Sequence, residues 1–313
     1  MSTDASDAGI PREPIVLLTG ASGYVGGRLL PLLARQPGRV RCLARNPEKL
    51  RRLASDNVEI VQADVLDPDS LQKALQGVTT AYYLIHLMSG SNNFEEQDRQ
   101  AATHFAAAAK AAGVQRIVYL GGLGDDSDPD LSPHLRSRHE VGKLLRESGV
   151  ETIEFRAGMV IGAGSLSFQL MQSLTDRLPV MICPRWLTTK TQPIAVEDVL
   201  SYLLAAKDLP PGESRTFEIG SHDTATYADL IREYARQRGL RRWLIFVPVL
   251  TPYLSGLWLA LVTPSTYEVG RHLIEGLKNP TIVQDPSAQQ AFSIRPVGIK
   301  EAIQQSLAGE KTD

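Results

Sequence analysis

The stretch Thr19-Gly20-Ala21-Ser22-Gly23-Tyr24-Val25-Gly26-Gly27-Arg28 decides the fold of this chain. Before it lies the apolar run Ile15-Val16-Leu17-Leu18, which reads as a buried strand; after it, residues 24–34 read as a helix. A glycine-rich turn between a strand and a helix presents unpaired main-chain N–H groups and the positive end of the helix dipole to an anion. In this reading Gly20 makes the tight turn, Gly23 lets a pyrophosphate approach the backbone, and Gly26 lets helix and strand pack closely. Ser22, Tyr24 and Val25 complete the loop around the phosphates. The strand–turn–helix context separates the pattern from an ordinary glycine-rich connection.

The rest of the first half repeats that rhythm. Strand-like runs at 15–19, 40–43, 58–62, 81–85, 116–120 and 151–155 alternate with helical segments near 24–35, 47–54, 68–75, 94–112 and 132–147. Asn46-Pro47, Asp67-Pro68 and Asn93 supply helix-entry chemistry. Gly77, Gly113 and Gly149 sit just past helix ends, where a left-handed cap is needed. Such alternation predicts an α/β, Rossmann-type doubly wound parallel sheet with right-handed crossovers. After Arg156 the spacing becomes irregular, with helices expected near 167–177, 196–206, 227–239, 254–262, 265–277 and 297–307 and short strands at 180–183 and 216–219. The division expected is a disordered tail at 1–13, the dinucleotide-binding domain at 14–160, and a small C-terminal α+β cap or substrate region at 161–313 interleaved with the sheet edge.

Composition narrows the function. The 313 residues are 43% hydrophobic, enough for a large core, and the net charge of −2 gives no pull towards nucleic acid. Cys42 and Cys183 are too few for a disulfide framework and belong to no metal-ligand cluster, so no metal is expected. The polar opening 1–14 lacks an apolar signal region, and a reducing, cytoplasmic home fits. The apolar segment 243–262 is broken by Pro248, Pro252 and Gly256, so it is too interrupted to span a membrane, a task needing about 20 apolar residues. Burial in the cap is expected for it, and contact of Tyr253, Trp258, Leu259 and Leu261 with a membrane surface or partner is the less favoured use.

Arg45 follows the second strand, where an Asp or Glu would bind a ribose 2′-hydroxyl and an Arg accommodates a 2′-phosphate. The expected cofactor is therefore NADP(H) in preference to NAD(H); the plain alternative is a solvated arginine. Asp64 and Val65 belong at the adenine rim, although Asp64 equally suits a cap on the loop before Asp67. Leu84, Ile85 and His86 close the fourth strand beside the adenosine ribose and pyrophosphate. Gly121 and Gly122 end the fifth, where their size leaves room for a nicotinamide.

With TGASGYVGG, Asp64-Val65, the run Ile117 to Gly122 and the run Phe155 to Gly162 in register, the chain resembles the short-chain dehydrogenase/reductase superfamily. It looks most like the atypical, NAD(P)H-binding or NmrA-like branch, which includes the accessory Rossmann subunit of respiratory complex I. The resemblance covers residues 14–210 and implies a catalytic Tyr, a Lys four residues later and an upstream Ser. Here His134 stands at the Tyr position, Arg138 at the Lys position, and Gly121-Gly122-Leu123-Gly124 offers no hydroxyl. His134 can donate a proton near neutrality, whereas Arg138 can hold a ribose or phosphate but relays no proton. The blander reading makes His134 a surface residue on a first helical turn, leaves His86 and His139 as weaker acids, and treats Asp125 to Asp128 as a solvated loop. Two functions follow: an oxidoreductase with substituted catalytic residues, or a non-catalytic sensor, assembly factor or accessory subunit with a small-molecule or protein partner.

Overall fold

The computed structural model describes residues 13–87, 93–247 and 276–310. Seven strands form one parallel sheet: β1 (Ile15–Thr19), β2 (Arg39–Ala44), β3 (Val58–Gln62), β4 (Val78–Tyr83), β5 (Arg116–Gly122), β6 (Glu151–Ala157) and β11 (Arg215–Ile219). Their order is β11-β6-β5-β4-β1-β2-β3, and every pairing is parallel. The order reverses at β1, so the crevice between the carboxyl ends of β1 and β4 is the ligand position of a doubly wound sheet.

Both faces of the sheet are covered, which is why its strands read as continuous apolar runs. Successive side chains point to opposite faces. Leu18, Tyr82, Val118 and Phe155 pack with α1 (Tyr24–Ala34) and α6 (Val196–Ala206). Leu17, Tyr83 and Tyr119 face α2 (Pro68–Ala74), α3 (Phe94–Ala111) and α4 (Pro133–Arg146). Gly77, Gly113 and Gly149 adopt φ of 72°, 73° and 85°, the left-handed conformation expected of them. Residues 47–54 form two short 3-10 turns instead of the expected helix: Asn46 caps the first by accepting from Glu48 N–H, and that turn ends at Leu50. Asn93 precedes α3 without a side-chain cap.

The second half is built on the sheet's carboxyl edge. β7 (Val160–Ile161) pairs with β10 (Ile194–Ala195), β8 (Val180–Cys183) with β13 (Trp243–Phe246), and β9 (Lys190–Thr191) with β12 (Ala225–Thr226). Around them lie α5 (Leu166–Arg177), α7 (Tyr227–Gln237), α8 (Ser287–Ala291) and α9 (Ile299–Gly309). Met159, Phe168, Met181, Ile231, Tyr234 and Ile303 share a separate apolar cluster there. β11 returns to the main sheet beside β6, so this half and the sheet are interleaved.

Cys42 and Cys183 are buried free thiols. Among the described residues no helix is long and apolar enough to cross a membrane. The expectation of burial fails for Trp243, which is exposed together with Ile245, Val180 and Ile182 on one face of the β8–β13 pair. Alternating side chains of a two-stranded sheet cannot all turn inward. Pro248, Tyr253, Trp258, Leu259 and Leu261, the expected helices at 254–262 and 265–277, and the tail 1–12 lie outside the described residues.

Candidate cofactor and proton-transfer site

The loop after β1 has the shape its glycines imply. Gly20 sits at φ +71°, and a Cβ there would lie 2.6 Å from the Leu84 carbonyl oxygen. Gly23 N–H donates to Gly20 O at 2.8 Å, closing the turn. A Cβ at Gly26 would meet the Gly20 carbonyl, so helix and loop touch backbone to backbone. Gly23 caps α1 without a side-chain hydrogen bond, leaving the first-turn amides of Tyr24, Val25 and Gly26 for an outside acceptor. Ser22 is exposed at the loop tip. Thr19 fixes the crevice by donating to Tyr82 O at 3.0 Å and accepting from Leu84 N–H at 3.0 Å.

The Tyr24 side chain turns away from the loop. Its hydroxyl is buried against Gly162, where any Cβ would collide with it, and burial raises its pKa to about 12. Arg28 stacks 4.2 Å above that ring and donates to Ala163 O at 2.6 Å. Arg45 is exposed just beyond β2. Asp64 accepts from Leu66 N–H at 3.0 Å, as a loop-capping aspartate does, while Val65 is buried among Leu43, Ala63 and Leu71. β4 ends at Tyr83, two residues before expected, so Leu84, Ile85 and His86 lie on the segment leaving the sheet.

The space beside Gly121 and Gly122 is filled by protein. A Cβ at Gly122 would lie 2.7 Å from Leu135, and one at Gly121 would lie 3.1 Å from the Glu154 carboxylate. On their side-chain side these glycines make room for α4 and Glu154.

His134 is half-buried, contrary to the surface reading. Its Nδ1 lies 3.0 Å from Nε2 of His86, whose Nδ1 lies 2.7 Å from Asp98 Oδ2. Asp98 is 2% exposed and accepts from Leu87 N–H at 2.9 Å and from Ser137 Oγ at 2.9 Å. Burial pushes its carboxyl up, but the bonds from His86, Leu87 and Ser137 outweigh this and hold it below the ordinary range. Burial holds His86 below the ordinary histidine value, helped by the Arg138 charge and opposed by Asp98. Arg138, one turn along α4, donates to Ile85 O at 3.4 Å and lies 4.9 Å above the Tyr119 ring, whose hydroxyl donates to Arg138 O at 2.9 Å.

Asp98 carries a signal that sequence reading missed. Phe94, Ala101, Ala102 and Phe105 define the apolar stripe of α3, and an aspartate four residues after Phe94 falls on that stripe. A second polar network also went unread. Glu154, fully buried in β6, is paired with Arg146 and accepts from Arg156 Nε at 2.9 Å; Arg156 Nη1 donates to Asp126 at 2.8 Å. His139 contacts Asp126 and donates from Nε2 to Gly122 O at 2.9 Å. Asp126 is thus an anchored partner and no mere solvated residue. Burial, then the Arg156 charge, hold His139 below its ordinary value, against the pull of Asp126 and the Gly122 carbonyl. Among the described residues no cluster of His, Cys, Asp and Glu is arranged to hold a metal.

Fold and loop together define a dinucleotide-binding protein of the Rossmann type. Residues 20–173 match the family described as NAD(P)H-binding, in keeping with the resemblance to the atypical branch of the short-chain dehydrogenase/reductase superfamily. It is 26% identical to the ceramide reductase of Caulobacter vibrioides over 278 residues, covering 87% of this chain and 84% of that one. Its identity to the photosystem II assembly factor Ycf39 of Cyanophora paradoxa is 25% over 271 residues, 84% and 79% of the two chains. The fold matches the NADPH-dependent quinone oxidoreductase of Escherichia coli, solved with NADPH, at a TM-score of 0.71 with 21% identity over 92% of this chain and 98% of that one. The glycine cradle that any Cβ would fill, with the uncapped first turn of α1, fits the diphosphate of such a dinucleotide.

Proposed function

We propose that this protein is an NADP(H)-dependent reductase. Gly20, Ser22, Gly23, Tyr24, Val25 and Gly26 would hold the diphosphate through their main chain. Arg45 would take the 2′-phosphate, Asp64 and Val65 the adenine rim, Leu84, Ile85 and His86 the adenosine ribose side, and Gly121 and Arg138 the nicotinamide end. When bound, the reduced cofactor supplies a hydride. The chain's own part is to orient the ring, exclude water and move a proton. The observation that carries the reading is the polar cluster at the start of α4: His134, at the position of the superfamily's catalytic Tyr, is hydrogen-bonded into a chain ending on a buried carboxylate. A reductase among the relatives supports it. A cytoplasmic setting agrees with the reading.

The preference for NADP(H) rests on Arg45, whose planar fork suits a phosphate and whose exposure leaves it ready to receive one. Titration with NADPH and NADH tests it. Wild type should prefer NADPH, and Arg45→Ala should weaken NADPH by about 10- to 100-fold while leaving NADH nearly unchanged. Tighter binding of NADH by the wild type would end the claim. Turnover is tested by NADPH oxidation with a panel of quinones, aldehydes, ketones and enones.

A second reading, a non-catalytic dinucleotide-binding assembly or sensor protein, is favoured by one observation: the Tyr, Lys and Ser of the superfamily are all replaced, by His134, Arg138 and a glycine-rich segment. The assembly-factor relative supports it. Tight NADPH binding without oxidation across the panel would select it.

A further inference from the structure

We propose that the outward face of the β8–β13 ribbon docks on the anionic surface of a phospholipid bilayer. The inference stands apart from the reductase reading and needs no bound cofactor. In the parallel register Trp243 lies beside Val180 and Ile245 beside Ile182, so these four side chains share one face. Trp243 is 72% exposed, and the other three are each roughly half exposed. The alternate residues point the other way: Met181 and Cys183 are fully buried, and Leu244 packs with them in the apolar cluster of this half. A sheet with one face on the core ordinarily turns polar side chains to water. This ribbon is apolar on both faces, and only one of them has a protein core behind it. A contiguous exposed apolar face of that kind marks a contact surface.

The charge around the face identifies what it meets. Residues 176–190 and 227–247, which hold the ribbon, the end of α5 and all of α7, carry eight arginines and lysines against three acids, in a chain whose net charge is −2. All three acids are engaged within the protein. Asp176 accepts from the Tyr234 hydroxyl and lies 3.7 Å from Arg238, Asp229 closes the capping box with Thr226, and Glu233 pairs with Arg236 at 2.7 Å. Arg185 and Arg241 are exposed, one just beyond β8 and the other just before β13, and Arg232 lies 6.0 Å from the Phe246 ring at the ribbon's end.

Tryptophan and branched aliphatic side chains bordered by arginines match the two layers of an anionic leaflet. The apolar groups enter the acyl boundary, the indole sits at headgroup level, and the guanidinium groups meet phosphate. Other occupants fit less well. A second copy of this face would set like charge against like charge. The chain that continues from β13 has no charged residue between 243 and 267, so it brings apolar surface but no anion. Single-stranded nucleic acid is gripped by stacking on aromatic rings, and three of the four outward side chains are aliphatic.

Flotation of the full chain with lipid vesicles tests the surface. The protein should float with vesicles of phosphatidylcholine mixed with phosphatidylglycerol, and less so as salt is raised. Ile245→Glu, and separately Arg185→Glu with Arg241→Glu, should each weaken the partition by about 10-fold or more at an unchanged thermal midpoint. With Trp186→Phe and Trp258→Phe, Trp243 is left as the one reporter. Its emission should be quenched by acrylamide in the free protein, then shift to the blue on the mixed vesicles and be quenched by brominated acyl chains. Absence of flotation, equal flotation with pure phosphatidylcholine, or flotation indifferent to Ile245→Glu would overturn the proposal. So would a Trp243 already shielded from acrylamide before vesicles are added. Sedimentation would then separate cover by a second copy, which depends on concentration, from cover by residues 248–275 of the same chain. Retention on single-stranded nucleic acid without flotation would equally defeat the lipid assignment.

Discussion

At the scale of single residues, the loop after β1 depends on what its glycines lack. Gly20 combines a positive φ with a carbonyl 2.6 Å from where a Cβ would stand, so relief at one contact leaves the other strain in place. Gly20→Ala should cost about 1–3 kcal/mol in denaturant unfolding and abolish NADPH binding in calorimetry. A variant that bound as wild type would show that the loop does not cradle the diphosphate. These glycines were legible in sequence because the constraint is local: a strand, three glycines at fixed spacing and a helix. The His134–His86–Asp98 chain was not, because its members come from three separate elements and meet only after the sheet has assembled. His134 read as a surface histidine until α3 brought Asp98 beneath it.

Among elements, one buried side chain ties the carboxyl end of α6 to the sheet in addition to its apolar packing. Arg116, 5% exposed at the start of β5, donates from Nη1 to the carbonyls of Ala206, Lys207 and Leu209 and from Nη2 to Pro210 O, while pairing with Glu151 at 2.8 Å. A helix ends with unsatisfied carbonyls, and one guanidinium here answers several at once. Arg116→Met should therefore destabilise by about 3 kcal/mol or more in urea unfolding, since it leaves both those carbonyls and the Glu151 charge without their partner. A loss under about 1 kcal/mol would show that water serves them equally well. The main-sheet elements were readable because parallel strands covered on both faces are continuous apolar runs separated by helices. The two-residue strands β7, β9, β10 and β12 were not, since so short a pairing leaves no periodicity. Residues 47–54 misled because a proline after Asn46 opens a 3-10 turn as readily as a helix.

For the whole molecule, buried histidines set the response to acid. His86 and His139 both have folded values below the ordinary one, burial being the largest cause in each. Between the unfolded value of about 6.5 and the lower folded value, the unfolded chain binds more protons. Stability is thus fully present above that pH and declines as pH falls through the window. The depressed Asp98 carboxyl extends the decline below about pH 4. Thermal unfolding should show a lower midpoint at pH 5.5 than at 7.5, with a flatter slope in His139→Gln. A midpoint equal or higher at pH 5.5 would refute the assignment. The grip of Arg28 on Ala163, with Tyr24 wedged against Gly162, reaches further than local packing. It bolts the helix that starts at the glycine turn to the second half of the chain, so the two cannot drift independently there. A methyl group at position 162 would strike both the Tyr24 hydroxyl and Val196, and would be enough to work that fastening loose.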